Sequence, residues 1–200
     1  MPTVKLISMT QDPMEVLKTA AGMCYQKKAT DKVIKHIIEC GHLSVLEHCY
    51  ATFEITCSVT VLLQLTRHRH LSFTCQSTRG SRLTSYYETG VHDVDCSVAE
   101  QMDFYNEACD NPDIPLEDAA YQIPKGAEYK LVVTGNFRAW FEYLPKRLCK
   151  RASKEHRLLA QMIYGMLSAK VPEVFNYVTL PCGTCKESGC SFVKTKGKQE

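Results

Sequence analysis

The apolar and polar positions divide the chain into segments with distinct periods. Behind Asp12-Pro13-Met14-Glu15, a start signal with a capping acid, a first-turn proline and a glutamate at the third position, Val16, Leu17, Ala20 and Met23 recur at helical spacing. A second helix is predicted from Thr30 to Cys40, with Val33, Ile34, Ile37 and Ile38 inward and Gly41 ending it. Ser44-Val45-Leu46-Glu47 offers a capping box for a short helical turn. The period then changes: Cys49 to Cys57 is rich in β-branched and aromatic residues and predicts a strand. Ser58 caps a helix through Val59, Val61, Leu62, Leu63 and Leu65 that carries on to Arg67-His68-Arg69.

From His70 to about Tyr87 the pattern is polar and irregular. A helix is predicted from Ser97, its N-cap, to Cys109, then a turn at Asn111–Pro115 and a short helix from Leu116 to Gln122 closed by Pro124. Tyr129 to Thr134 reads as a second strand. Asn136 caps a helix through Trp140 and Leu144, with Pro145 a kink or the first turn of a new helix. Leu158, Leu159, Met162, Ile163, Met166 and Leu167 mark a long amphipathic helix from Ala152 to Lys170. The whole reads as one α+β domain, residues 1–180, with long helices around few strands and a Cys- and Gly-containing tail over 181–200.

Composition narrows the class. Hydrophobic residues are 44% and charged residues 23% of 200, ordinary for a globular chain. With 24 Lys and Arg against 22 Asp and Glu, no global positive field favours wrapping nucleic acid. No apolar run approaches the ~20 residues that span a bilayer, and the N-terminus lacks a signal-peptide core, so a cytoplasmic address is expected. The 11 cysteines are odd in number and mostly scattered, which argues against a disulfide scaffold. Most are expected to be small buried hydrophobes.

The chemistry concentrates between Arg67 and Arg82, where four arginines and two histidines are interleaved with hydroxyls and an amide. Guanidinium forks suit phosphate, and hydroxyls and amides add directional bonds. A solvated basic helix end and loop is the other reading of the same residues. On a helix, Gln64 would share a face with Arg67 and His68.

The segment Arg67-His68-Arg69, seven residues and then Ser77 matches R-H-R-x7-S, and around it stand Gly41-His42-Leu43-Ser44-Val45-Leu46-Glu47-His48, Gln64-Leu65-Thr66, Gln76-Ser77-Thr78-Arg79 and Glu117-Asp118-Ala119-Ala120-Tyr121. Asn136-Phe137-Arg138 and Arg147-Leu148-Cys149-Lys150-Arg151-Ala152-Ser153-Lys154-Glu155 follow. In this order and register, from about His42 to Phe175, the chain resembles the flavin-dependent thymidylate synthases (ThyX). The resemblance implies an α+β fold with a small, largely antiparallel sheet flanked by long helices. It also implies reductive methylation of dUMP to dTMP with FAD, NADPH and methylenetetrahydrofolate, in a homotetramer with shared sites. By position, it assigns Ser44, Arg67, His68, Arg69, Cys75, Asn136 and Arg138 to FAD. It assigns Gln64, Arg67, Gln76, Ser77, Arg79 and Arg147 to dUMP, Arg147 also to catalysis, and His42 to the neighbourhood of flavin and folate.

Beside these assignments stand local readings: Ser44 and Asn136 as helix caps, His42 and His48 as structural histidines, Arg147 as one of a solvated basic row, and Cys75 as a nucleophile. Four positions depart from the family pattern. Ala120 replaces an arginine that contacts dUMP, Cys75 a Glu or Gln, Gly80 a Tyr, and Glu142 an Asn that touches flavin. Arg82 is a candidate to compensate for Ala120. These changes leave open a flavoprotein acting on another pyrimidine nucleotide. Cys182, Cys185 and Cys190 are read as a non-metal tail, with zinc as the alternative and, with it, a nucleic-acid-binding module.

Overall fold

The computed structural model describes residues 1–179 together with Cys182, Cys185, Glu187 and Cys190. It forms two compact units, Met1–Ile7 with Thr52–Thr134, and Ser8–Ala51 with the chain from Gly135 onward.

The first unit is organised by a four-stranded sheet of order β1-β2-β4-β3, with β1 Thr3–Met9, β2 Tyr50–Ser58, β3 Leu71–Cys75 and β4 Glu128–Asn136. Neighbours run antiparallel. The Thr10 N–H donates to Tyr50 O (3.0 Å), just past the end of β1 and at the start of β2. Thr52 and Thr134 share a hydroxyl hydrogen bond (3.0 Å) across β2 and β4, and Gln76 N–H donates to Lys130 O (2.9 Å) beside β3 and β4. Phe53, Ile55 and Cys57 of β2 are fully buried with Leu131 and Val133 of β4, whereas Glu54, Thr56 and Lys130 point to the other face. The expected strands at β2 and β4 are present. β3 lies inside the stretch read as irregular, its Leu71 and Phe73 alternating with polar residues. β1 was not anticipated, because Val4 is the one buried side chain in its seven residues.

Ser58 ends β2 and caps α3, Val59–Leu65, its hydroxyl accepting from Val61 N–H (3.2 Å). The helix stops at Leu65 rather than carrying through Arg69. Helix α4 spans His92–Asp110, starting before the predicted Ser97 cap, because an upstream start is stronger. There the Asp95 carboxylate accepts Thr89 N–H (2.8 Å), Thr89 hydroxyl (2.7 Å) and Gly90 N–H (3.0 Å), with Gly90 at φ +83°. These bonds, the Thr89 hydroxyl's first, hold the Asp95 pKa below its ordinary value. The core of this unit gathers Leu83, Met102, Tyr105, Ala108 and Ala119 between α4 and the short α5, Leu116–Ala119, which continues as a 3-10 turn over Ala120–Gln122.

The second unit is helical: α1 Pro13–Gly22, α2 Asp31–Glu39, a 3-10 turn at Leu43–His48, α6 Phe137–Leu148, α7 Lys154–Lys170 and α8 Pro172–Phe175. Asp12 precedes α1 in the left-handed region (φ 46°) and makes no side-chain cap, unlike the expectation. α2 ends as its pattern predicts. Gly41 at φ +75° donates to Ile38 O (3.0 Å) and His42 N–H to Ile37 O (2.9 Å), a Schellman closure. Ile34 and Ile38 are buried while Val33 is exposed. Pro145 lies inside α6, which continues to Leu148. Trp140, Tyr143, Phe137 and Phe175 form an aromatic core, with Phe137 edge-on to Phe175 at 5.2 Å.

A Cβ on Gly22 would meet Lys27 O at 1.9 Å, so Gly22→Ala is expected to destabilise the chain by about 1–3 kcal/mol in chemical denaturation. Wild-type stability would reject that close approach. Asp95→Asn is expected to lower the thermal midpoint at neutral pH. A depressed carboxyl pKa stabilises fully above the ordinary Asp range and loses that contribution as pH falls through the native value, so the deficit should close on acidification. A deficit that persists at low pH would contradict the assignment.

Candidate functional site

Arg67-His68-Arg69 forms the turn between α3 and β3. His68 closes it at both ends: its N–H donates to Leu65 O (3.0 Å) and its carbonyl accepts from Leu71 N–H (3.0 Å). His68 is half-buried, and the flanking Arg67 and Arg69 are exposed with no ion pair among the described residues. Two neighbouring guanidiniums thus keep their donors for an anionic ligand. Gln64 is half-buried in the last turn of α3, and Arg67 lies beyond the helix rather than on a shared helical face.

The segment after β3 is held by Gln76. Its side-chain carbonyl accepts from Lys130 N–H (3.4 Å), and its amide donates to Ser81 Oγ (3.0 Å) and Arg82 O (3.1 Å). Ser77 turns the chain: its carbonyl accepts from Ser81 N–H (3.1 Å) and Ser81 Oγ (2.8 Å), and its hydroxyl from Arg79 N–H (3.4 Å). The result is an exposed loop displaying Arg79, whose Nε lies 3.5 Å from Glu117. A cleft of ≈ 470 Å³ lies between Thr78, Arg79, Glu117, Asp118, Ala120 and Tyr121. Ala120 leaves it with one guanidinium facing two carboxylates. Arg82 does not make up the difference, because it pairs with Asp110 and donates to Cys109 O.

A second cleft, ≈ 690 Å³, opens on the polar sheet face between Glu54, Cys75, Gln76, Arg82, Glu128 and Lys130. Glu128 Oε1 is buried there with no hydrogen-bond partner among the described residues and lies 3.9 Å from the N-terminal ammonium. Cys75 is exposed as a residue, yet its sulfur is partly desolvated, which raises the thiol pKa. The sulfur's own surroundings set its ionisation, and a raised pKa opposes the nucleophile reading.

In the second unit, Asn136 caps α6, its Oδ1 accepting from Ala139 N–H (2.8 Å). Arg138 donates from Nε to Glu142 (2.9 Å) and from Nη1 to Glu47 (2.6 Å). The two carboxylates raise its pKa, Glu142's hydrogen bond most. Neither Glu47 nor Glu142 was singled out as a partner of Arg138, although Arg138 and Glu142 stand at i, i+4 spacing, a readable signal. His42, Ser44 and His48 are exposed, and Ser44 lies inside the 3-10 turn rather than at its cap. Arg147 is half-buried in the last turn of α6, where a cation complements the helix dipole. Tyr143, one turn before it, meets the fully buried His156 of α7 at 3.1 Å.

Four cysteines, Cys49, Cys57, Cys109 and Cys190, are buried, and five are exposed, so the expectation that most are core residues fails. Burial pushes the Cys49 thiol up to about 11. Among the described residues no group of three or more His, Cys, Asp or Glu side chains is placed to hold a metal ion, and no helix is long and apolar enough to cross a membrane. The remainder of the Cys182–Cys190 segment lies outside the described residues.

The family model described as "Thymidylate synthase complementing protein" matches residues 5–173. The chain is 32% identical to the flavin-dependent thymidylate synthase of Saccharolobus solfataricus, over 91% of this chain and 78% of that protein. It is 30% identical to that of Geobacter sulfurreducens over 96% and 94% of the two chains. Its fold matches the crystal structure of thymidylate synthase X from Helicobacter pylori with FAD and dUMP, with TM-score 0.80 and 20% identity over 89% of this chain and 99% of that one. The clustered guanidiniums, the sheet and helix order and these likenesses agree, and the chain belongs to the flavin-dependent thymidylate synthase family.

Proposed function

We propose that this enzyme converts dUMP to dTMP with FAD, taking the carbon unit from methylenetetrahydrofolate and electrons from NADPH, as a cytoplasmic homotetramer with shared sites. The observation that carries this reading is the pair of exposed guanidiniums, Arg67 and Arg69, flanking the half-buried His68. Each charge-assisted bond to a pyrophosphate contributes about 1.5–3 kcal/mol where water is excluded, so the donor set fits FAD. No disulfide joins the eleven cysteines, which suits a reducing compartment.

His68 holds the turn that aims Arg67 and Arg69. Gln76 and Ser77 fix the loop that presents Arg79 to the nucleotide, and Gln64 approaches it from the end of α3. Cys75, Ser44, Asn136 and Arg138 complete the flavin contacts, with His42 beside flavin and folate. Arg147 is set against the pyrimidine, where a guanidinium that keeps its proton stabilises negative charge on the ring without acting as a base. FAD, when bound, supplies the hydride chemistry. The reaction needs no enzyme thiolate, in keeping with the raised pKa of Cys75.

A second reading, another pyrimidine nucleotide as substrate, is favoured by the cleft at Ala120, where Arg79 faces Glu117 and Asp118 and Arg82 is engaged elsewhere. NADPH oxidation that depends on dUMP and yields dTMP decides for the first reading. Inactivity with dUMP alongside turnover of another pyrimidine nucleotide decides for the second.

Arg147→Ala is expected to lower kcat by about 100-fold or more while FAD affinity stays within a few-fold; unchanged turnover removes Arg147 from catalysis. Ala120→Arg is expected to tighten dUMP binding about tenfold or more by calorimetry, because it returns a cation to an acidic cleft. An unchanged dissociation constant would place the phosphate elsewhere.

A further inference from the structure

Arg138 is held from two sides. Glu142 comes from the next turn of α6 and Glu47 from the 3-10 turn before β2, each accepting from a different nitrogen of one guanidinium. All three side chains remain about two-fifths exposed. One cation between two anions leaves the cluster with a formal charge of −1. Arg67 and Arg69 have no such partners among the described residues, so the arginines assigned to flavin differ in kind. Glu47 alone would neutralise Arg138, and Glu142 turns the site negative.

We propose that Glu142 sets how firmly FAD is held: it takes the Nε–H of Arg138 and adds a carboxylate where the anionic dinucleotide must approach, so the cofactor is loosely bound and exchangeable. This rests on the reading that Arg138 contacts FAD. The opposing view, that the clamp pre-orients Arg138 for its ligand, predicts the reverse sign. The effect is one of partly exposed charges and is therefore screened by salt.

Calorimetric titration of the full-length apoprotein with FAD tests this directly, using Glu142→Gln, which keeps shape and removes charge, with Glu142→Asn and Arg138→Ala beside it. Glu142→Gln and Glu142→Asn should tighten FAD binding roughly tenfold at low ionic strength, and the gain should shrink as salt rises. Arg138→Ala should weaken FAD binding. An unchanged or weaker FAD affinity in Glu142→Gln, with Arg138→Ala still impaired, overturns the role of Glu142 and leaves the Arg138 assignment standing. Wild-type affinity in Arg138→Ala overturns both.

Discussion

The start of α6 depends on two hydrogen bonds to the backbone on either side of the first residue of β2. Phe137 N–H donates to Cys49 O at 2.8 Å, and the single tryptophan, Trp140, donates its fully buried Nε1–H to Ala51 O at 3.0 Å. A buried indole N–H without a partner is costly, so this bond selects one placement of the helix. With α6 fixed, Asn136 caps it, Arg138 reaches Glu47, and Arg147 emerges from its last turn. Tyr143 faces His156 from the same helix and ties α7 to it. The assigned residues of the second unit are thus placed by a few buried contacts that touch no ligand.

Charge is distributed unevenly among the arginines, and this matters more than their number. Arg79, Arg82, Arg138 and Arg151 each face a carboxylate. Arg67 and Arg69 face none among the described residues. Exposed ion pairs contribute little to stability, about 0–1 kcal/mol, but they decide how much of a guanidinium is left for a ligand. A basic segment of four arginines and two histidines therefore resolves into a donor pair at the α3–β3 turn and partnered cations elsewhere. The cleft beside Ala120 belongs to the same pattern, the single guanidinium of Arg79 being set among the carboxylates of Glu117 and Asp118.

Much of the architecture was legible where local rules are strong. The Gly41 stop, the Ser58 and Asn136 caps and the long amphipathic α7 follow from backbone hydrogen bonds that near neighbours satisfy. Two strands were not legible, for different reasons. β1 buries too little to show a period, and the alternation of β3 is hidden within the basic motif. The Ser97 cap was displaced because Asp95, two residues before it, gathers the Thr89 and Gly90 donors and starts α4 sooner. In the site, the string from Gln64 to Arg79 was visible as chemistry, whereas the linking work of Gln76 was not, since its partner Lys130 lies 54 residues away.

By itself the sequence determined most of the helices, though not α8 or the ends of α3 and α4, together with two of the four strands and the motif residues that mark the family, because caps, periodicity and motif spacing are written in consecutive positions. Tertiary structure alone decided which of those residues are at liberty. Arg138 is claimed by Glu47 across 91 residues and Arg82 by Asp110 across 28, and Coulomb attraction acts through space without regard to chain separation.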